Sequence, residues 1–212
     1  EDPRDALISL SAASLRELPE GAVVGTASPR RRAQLLMHRP DLKIVNLRGN
    51  VETRLRKIQE GQAEATLLAI AGLSRLGLAG AAAAILEASE MLPAVGQGAI
   101  GVECRDGDER VRGYLEPLND GDSWTRVAAE RALLGALGGS CRTPIAGLAE
   151  LEGDGTIFIR GLVVKPDGSA FHRASRRGRR EDAARLGAEI GLELREQAGP
   201  GFFEAGFFEK GA

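Results

Sequence analysis

A cysteine in a glycine-rich segment is the residue of this chain best suited to covalent chemistry. Cys141 stands within residues 137–145 (LGGSCRTPI) and is one of two cysteines. The glycines before it and the proline after it predict a tight turn between a helix and a strand. The adjacent Arg142 would favour a thiolate or attract an anionic partner. This context favours a covalent attachment point, and burial as a small hydrophobic side chain is the open alternative.

Arginines recur where predicted strands end and predicted helices begin. In open parallel sheets, ligands bind at the carboxyl ends of the strands, and helix N-termini there attract anions. The planar guanidinium also matches a carboxylate with two parallel hydrogen bonds. A single arginine is more often a solvated surface residue, but a row of them predicts a site for a ligand with several carboxylates. The row comprises Arg30, Arg31, Arg48, Arg54 and Arg75.

The first ninety or so residues alternate short apolar runs with helical patterns. The runs at 22–25, 43–47 and 65–70 predict buried strands. Two helices are predicted between them, at 29–38 after the cap Ser28 and at 51–59 after the cap Asn50. A further helical stretch follows Gly72. This alternation predicts an α/β lobe with a parallel or mixed sheet and helices on both faces.

The second half of the chain has a different pattern. The glycine-rich segment 92–104 predicts a loop that leads into a strand. Helices are predicted at 106–118, 123–137 and 181–197, and strands joined by hairpin turns at 145–151, 156–164 and 170–175. These elements predict a smaller α+β domain with a three-stranded antiparallel sheet. The phenylalanine-rich ending 201–208 is assigned to no element, and packing on a neighbour and disorder both stay open.

Composition excludes several classes of protein. The formal net charge of the 212 residues is −2, so the chain lacks the basic field typical of nucleic-acid binders. The arginine-rich run 173–180 is predicted to be a solvated strand end, with nucleic-acid binding as a minor alternative. His38 and His172 are isolated, so we expect no metal site. The two distant cysteines favour a reducing, cytoplasmic compartment, and no membrane span, signal peptide or nucleotide-binding motif is predicted.

Five motifs occur in order along the chain: 25–31 (GTASPRR), 47–54 (LRGNVETR), 71–77 (AGLSRLG), 92–99 (LPAVGQGA) and 138–144 (GGSCRTP). Together they resemble the porphobilinogen deaminase, or hydroxymethylbilane synthase, family. The resemblance implies three α/β domains, the first two similar to the lobes of periplasmic binding proteins. It also implies a transferase of tetrapyrrole and heme biosynthesis. Such an enzyme condenses four porphobilinogen molecules head to tail on a dipyrromethane cofactor, losing ammonia each time, and then releases the linear product.

The resemblance assigns roles to ten residues of this chain. Cys141 would hold the dipyrromethane through a thioether, and Gln97 and Gly98 would border the cleft. The acetate and propionate groups of the cofactor and the growing chain would be contacted by Thr26, Ser28, Arg30, Arg31, Arg48, Arg54 and Arg75. The implied partners are porphobilinogen and linear pyrrole intermediates, without nucleic acid or membrane.

The match departs from the family pattern ahead of Glu1, where we expect the family's first domain to be missing. That domain carries the family's catalytic aspartate, so no catalytic residue is assigned here, and Asp2 and Asp5 are placed in a hinge-like entry segment. We expect a second domain at 1–93, a return segment at 94–118 that would pack on the missing domain, and a cofactor-attachment domain at 119–212. The intact protein is expected to be monomeric and the chain alone inactive. The alternative is a non-catalytic module that binds polycarboxylates.

Overall fold

The computed structural model describes residues 1–140 and 142–202. Cys141 and residues 203–212 lie outside the described residues. The expectation for the phenylalanine-rich ending therefore falls, beyond Phe202, on residues of which the structure says nothing.

A five-stranded mixed sheet forms the first part of the chain, in the order β3-β2-β4-β1-β5. Strand β2 is parallel to β3 and β4, whereas β1 is antiparallel to β4 and β5 is antiparallel to β1. The strand bounds are β1 Asp5–Ser9, β2 Val23–Gly25, β3 Lys43–Val45, β4 Ala65–Ala69 and β5 Ala84–Ile85.

Three helices follow the parallel strands: α1 Pro29–His38, α2 Val51–Gln59 and α3 Ile70–Arg75. The side chain of Ser28 caps α1 by accepting from the Arg31 N–H, and Asn50 caps α2 by accepting from the Thr53 N–H. Both helices have the predicted bounds because these caps and Pro29 fix their first turns. The sheet has a core on each face, because successive side chains of a strand alternate: Leu7 packs on one side, and Ala6 and Ile8 pack on the other.

The second part of the chain is a three-stranded antiparallel sheet covered by two helices. Helices α5 and α6 pack on one face through Leu133, Ile157, Ile159, Ile190 and Leu194. The other face meets the first part of the chain, where Ala33 and Leu92 pack on Leu162. The bounds are α4 Glu109–Leu115, α5 Gly121–Leu137, β6 Ile145–Leu151, β7 Thr156–Val164, β8 Phe171–Arg179 and α6 Ala183–Ala198, with short 3₁₀ turns at Glu116–Leu118 and Arg180–Asp182.

This architecture confirms the predicted fold class and corrects three elements. Residues 5–9 form β1 instead of a hinge, since they pair with β4 and β5. The strand expected near Cys104 does not form within 99–105, where no neighbouring strand supplies hydrogen bonds. Strand β8 extends to Arg179 instead of ending near 175, because it pairs with β7 along its whole length. Among the described residues, no helix combines the length and apolarity needed to cross a bilayer.

Candidate functional site

The predicted site residues of the first sheet meet at one edge. Strands β2, β3 and β4 run parallel, so their carboxyl ends lie at the same edge, where helices α1, α2 and α3 begin. Strand β1 runs the opposite way, and its first residue Asp5 pairs with Ala69, the last residue of β4. The antiparallel strand therefore brings a carboxylate to the edge where the arginines lie.

Asp5 is the centre of a buried charge cluster. Its side chain is fully buried, and its Oδ2 accepts a hydrogen bond from Arg30 Nη1 at 2.7 Å. Its Oδ1 accepts from Arg31 Nη2 at 2.7 Å and from Arg31 Nε at 3.1 Å. Burial alone would raise the pKa of the Asp5 carboxyl, but the charges of the two arginines outweigh it and hold that pKa below its usual value. Two guanidinium groups against one carboxylate leave one net positive charge.

Gln97 and Gly98 connect the segment after Leu92 to this cluster. Gln97 Nε2 donates to the Pro3 carbonyl at 2.6 Å and to Asp5 Oδ1 at 3.0 Å, while its Oε1 accepts from Arg30 Nη2 at 3.3 Å. The Gly98 carbonyl accepts from Arg75 Nη2 at 2.9 Å. Gly98 has φ +87°, which favours glycine, and a Cβ there would also lie close to the Glu1 carbonyl oxygen, at 3.1 Å.

Two arginines of the row have no carboxylate partner within residues 1–140 and 142–202. Arg54 is half-buried and donates from Nε only to the Gly49 carbonyl, at 2.9 Å. Burial and the charge of nearby Arg31 lower the pKa of its guanidinium. Arg48 is exposed, and no hydrogen bond or ion pair joins its side chain to the other candidates. These two arginines thus differ from Arg75, whose Nε is paired with Glu1 Oε1 at 3.0 Å.

The two hydroxyl residues have local structural roles. Thr26 is buried, and its Oγ1 accepts from the Ser28 N–H at 3.1 Å. Ser28 Oγ accepts from the Arg31 N–H at 3.4 Å as the α1 cap. These contacts fix the turn that presents Arg30 and Arg31 at the start of the helix.

Cys141 lies outside the described residues, and the structure describes the residues on either side of it. Gly138 ends α5 in the left-handed conformation at φ 66°. A Cβ on Gly139 would contact the side-chain ends of Ile145 and Leu134, so a larger residue there requires these side chains to shift. Buried Thr143 Oγ1 accepts from the Ser140 N–H and donates to the Ser140 carbonyl, both at 2.6 Å. The residues on either side of the cysteine are thus tied to the start of β6.

Two charged residues of this region are not among the predicted site residues. The sequence pattern places Asp5 in an entry segment, although the apolar residues 6–8 that follow it indicate a strand. Glu130, in the middle of α5, is buried and joins the two parts of the chain. Its Oε2 accepts from the Gly96 N–H at 2.6 Å and its Oε1 from the Ala149 N–H at 2.9 Å. No sequence signal distinguishes Glu130 from a surface helix residue.

Burial dominates the electrostatics of Glu130. It raises the pKa of the carboxyl to about 7, against the opposing effect of the two backbone N–H groups. In the described part of the chain, no group of three histidine, cysteine, aspartate or glutamate side chains is placed to hold a metal ion.

Two family models match the chain. Residues 1–113 match the dipyrromethane cofactor binding domain of porphobilinogen deaminase, and residues 124–196 match the C-terminal domain of porphobilinogen deaminase. The chain belongs to the porphobilinogen deaminase family. The resemblance inferred from the five motifs is thereby confirmed.

Curated members of the porphobilinogen deaminase family are similar over nearly the whole chain. The Nitrobacter winogradskyi protein is 55% identical over 203 residues, covering 96% of this chain and 64% of its own length. The chloroplastic protein of Oryza sativa subsp. japonica is 52% identical over 207 residues, covering 97% of this chain and 58% of its own. The Paracoccus denitrificans protein is 53% identical over 204 residues, covering 96% and 65%. The chain thus spans less than two thirds of the length of these relatives.

Proposed function

We propose that this chain supplies the cofactor-binding and C-terminal parts of a hydroxymethylbilane synthase. The reaction is the head-to-tail condensation of four porphobilinogen molecules, with loss of one ammonia at each step. The observation that carries the proposal is the sheet edge, where Arg48 and Arg54 have no carboxylate partner among the described residues. The Asp5 cluster beside them keeps one net positive charge.

The donor set of this edge suits a dipyrromethane. Each pyrrole ring carries two carboxylates, and bidentate guanidinium pairs are the strongest neutralising contacts that a protein offers. Arg48 and Arg54 would bind these groups directly. Arg75 would bind a ligand carboxylate in place of its surface partner Glu1. Arg30 and Arg31 would supply a positive field from their buried positions. Cys141 would attach the cofactor through a thioether, and the bound cofactor would supply the primer for condensation.

The described residues suggest positioning and electrostatic stabilisation by this chain, without a proton-transferring group. Asp5 is fully engaged with two arginines, so we assign it no catalytic role. The catalytic carboxylate would come from the part of the relatives that this chain does not cover. We therefore expect little or no porphobilinogen consumption by the chain alone. We also propose a cytoplasmic protein that is monomeric when that part is present.

Mass spectrometry of the intact chain, purified from cells that make tetrapyrroles, tests the attachment. The expected result is an added mass equal to one dipyrromethane, which is absent from Cys141→Ser. Cys104→Ser is the matched control, because Cys104 is the other cysteine and is exposed. It should keep the adduct. An adduct that persists in Cys141→Ser would overturn the assignment.

A second candidate function rests on the same two unpaired arginines: a module that binds polycarboxylates without catalysing a reaction. An unmodified Cys141 together with tight, Arg48-dependent binding of a linear pyrrole would favour that candidate. A normal rate of porphobilinogen consumption by the 212-residue chain would exclude it, and would also refute the expectation that the chain alone is inactive.

A further inference from the structure

A cavity separate from the arginine edge lies at the junction of the two parts of the chain. Its volume is about 520 Å³, within the range of about 300–1,000 Å³ that small-molecule sites occupy. Gln34, Ala88 and Leu92 of the first part line one side, and residues of β7 and β8 line the other. None of the nine described residues predicted for the first site lines it.

The cavity has an apolar wall on the open face of the three-stranded sheet. Leu162 of β7 lines it and packs with Leu92 and Ala33 across the junction. In the β7–β8 register, Leu162 is opposite Arg173 and Arg160 is opposite Ser175. Opposed residues of an antiparallel pair lie on the same face, so Arg160 and Arg173 share the face of Leu162.

Among the residues that the structure describes, Arg173 is the cation of this cavity that lacks a counter-ion. The other two arginines of the lining are paired, Arg160 with Glu150 and Arg176 with Glu193. Arg173 makes no ion pair to a residue within 1–140 or 142–202, and its guanidinium lies 4.9 Å from the centre of the Phe171 ring. The charge of Arg173 also acts across the junction. The pKa of His38 is lowered mainly by burial, and next by the positive charge of Arg173.

A second group in the cavity lining also lacks a partner. The Nε of Arg160 is buried and finds no hydrogen-bond acceptor among the described residues. Buried donors are normally satisfied, so an unpaired donor on the same face as Arg173 indicates an acceptor that residues 1–140 and 142–202 do not supply.

We propose that this cavity is a second ligand site, for a small aromatic carboxylate. One unpaired guanidinium balances one negative charge, and the carboxylate oxygens would accept from Arg173. The apolar wall formed by Leu92, Leu162 and Ala88 suits a flat ring. The site is independent of the function proposed for the arginine edge.

Calorimetric titration with 2-naphthoate tests the proposal on the full chain. The expected result is saturable binding that Arg173→Gln weakens roughly tenfold or more, as expected for loss of a charge-assisted pair. Arg179→Gln is the matched control. Arg179 lies on the same strand and face and is exposed, so this substitution removes the same charge outside the cavity. The affinity of the Arg179→Gln variant for 2-naphthoate should equal that of the unmodified chain. Arg48→Gln should also leave naphthoate binding unchanged, which separates this site from the first one.

Three results would overturn the proposal. One is the absence of saturable naphthoate binding at millimolar concentration. Another is an equal loss of affinity in Arg173→Gln and Arg179→Gln, which would mean that only the general charge of the strand matters. The third is equally tight binding of the neutral 2-naphthamide. Both arginines are exposed, so we expect both variants to fold. Thermal unfolding of each variant verifies this.

Discussion

At the scale of single residues, the arginine row divides into two kinds of group. Arg30 and Arg31 are 4% and 8% exposed, and both form ion pairs with the fully buried Asp5. They therefore stabilise this edge of the sheet and also give it positive charge. Arg48 and Arg54 have no carboxylate partner in the described part of the chain. The sequence predicted all of them as one set, because residue type and position after a strand are visible in it. The division depends on Asp5, whose approach requires the pairing of β1 with β4, more than fifty residues away along the chain.

Asp5→Asn should destabilise the protein strongly. Removing one partner of a buried ion pair leaves uncompensated charge and costs about 3–5 kcal/mol. We expect this loss in the free energy of unfolding measured with urea at neutral pH. Because the pKa of Asp5 is lowered in the folded state, its contribution is present above its usual pKa and is lost as the pH falls below about 4. The Asp5→Asn variant should not show this loss of unfolding free energy at acid pH.

Asp2→Asn is the control for this experiment. Asp2 is paired with Arg4, but its side chain is 36% exposed, and exposed pairs contribute about 0–1 kcal/mol. Equal destabilisation by the two substitutions would contradict a special role for the Asp5 cluster.

Glu130 should make stability depend on pH in the opposite sense. Its folded pKa of about 7 lies above its usual value. Its stabilisation is therefore complete below the unfolded pKa and is lost as the pH rises through about 7. Between about pH 5 and pH 8, the unmodified chain should lose on the order of 3 kcal/mol relative to Glu130→Gln, whose side chain does not ionise. Urea unfolding across this pH range measures the difference. Glu196 is exposed, and the control variant Glu196→Gln should show the same change of unfolding free energy with pH as the unmodified chain. If the curve for Glu130→Gln is parallel to that of the unmodified chain, the predicted effect of Glu130 is disproved.

At the scale of elements, the sequence predicted best those whose ends are encoded locally. Helices α1 and α2 begin at Ser28 and Asn50, whose side chains cap them, and β6 and β7 are bounded by Pro144 and the turn 152–155. The errors concern strands defined by their neighbours. Strand β8 is longer than predicted because β7 pairs with it along its arginine-rich run, and the strand expected near Cys104 has no partner with which to pair.

The packing of α5 on α6 also depends on a feature with no local signal. A Cβ on Gly187 would lie 2.0 Å from the Ala129 carbonyl oxygen, and one on Gly191 would lie 2.5 Å from the Leu133 carbonyl oxygen. Both contacts are with backbone, which cannot rotate away as a flexible side chain would. The two glycines therefore set how closely the helices approach.

Gly187→Ala should destabilise the protein, although alanine favours helices over glycine by about 1 kcal/mol. The clash forces α6 away from α5 and disturbs the core around Leu133 and Ile190, so we expect a loss of about 1–3 kcal/mol or more. Gly135→Ala in α5 is the matched control, because a Cβ there meets nothing within 4 Å. It should raise the unfolding free energy. If both variants are stabilised, the close approach of the helices does not matter.

At the scale of the whole molecule, eleven large apolar side chains of the described residues are exposed, and nearly half of them lie in one stretch of the chain. Within residues 100–124, five of them are at least 62% exposed: Ile100, Val102, Tyr114, Leu118 and Trp124. This stretch includes residues 99–105, where the expected strand does not form. Exposed apolar side chains close together in the sequence are typical of a surface that another chain or domain covers. That 94–118 packs on a domain outside this chain stays a prediction.

The chain by itself should therefore self-associate through this stretch. Sedimentation velocity over a range of concentrations should show a reversible increase in average mass, because association hides apolar surface from water. The double substitution Ile100→Ser with Val102→Ser should shift the chain towards monomer. The control is Leu10→Ser with Leu192→Ser, which removes two leucines that are 73% and 58% exposed but lie outside the stretch. It should leave association unchanged. A chain that stays monomeric at every concentration, or a control that acts as strongly as the test, would show that this surface is not an interface.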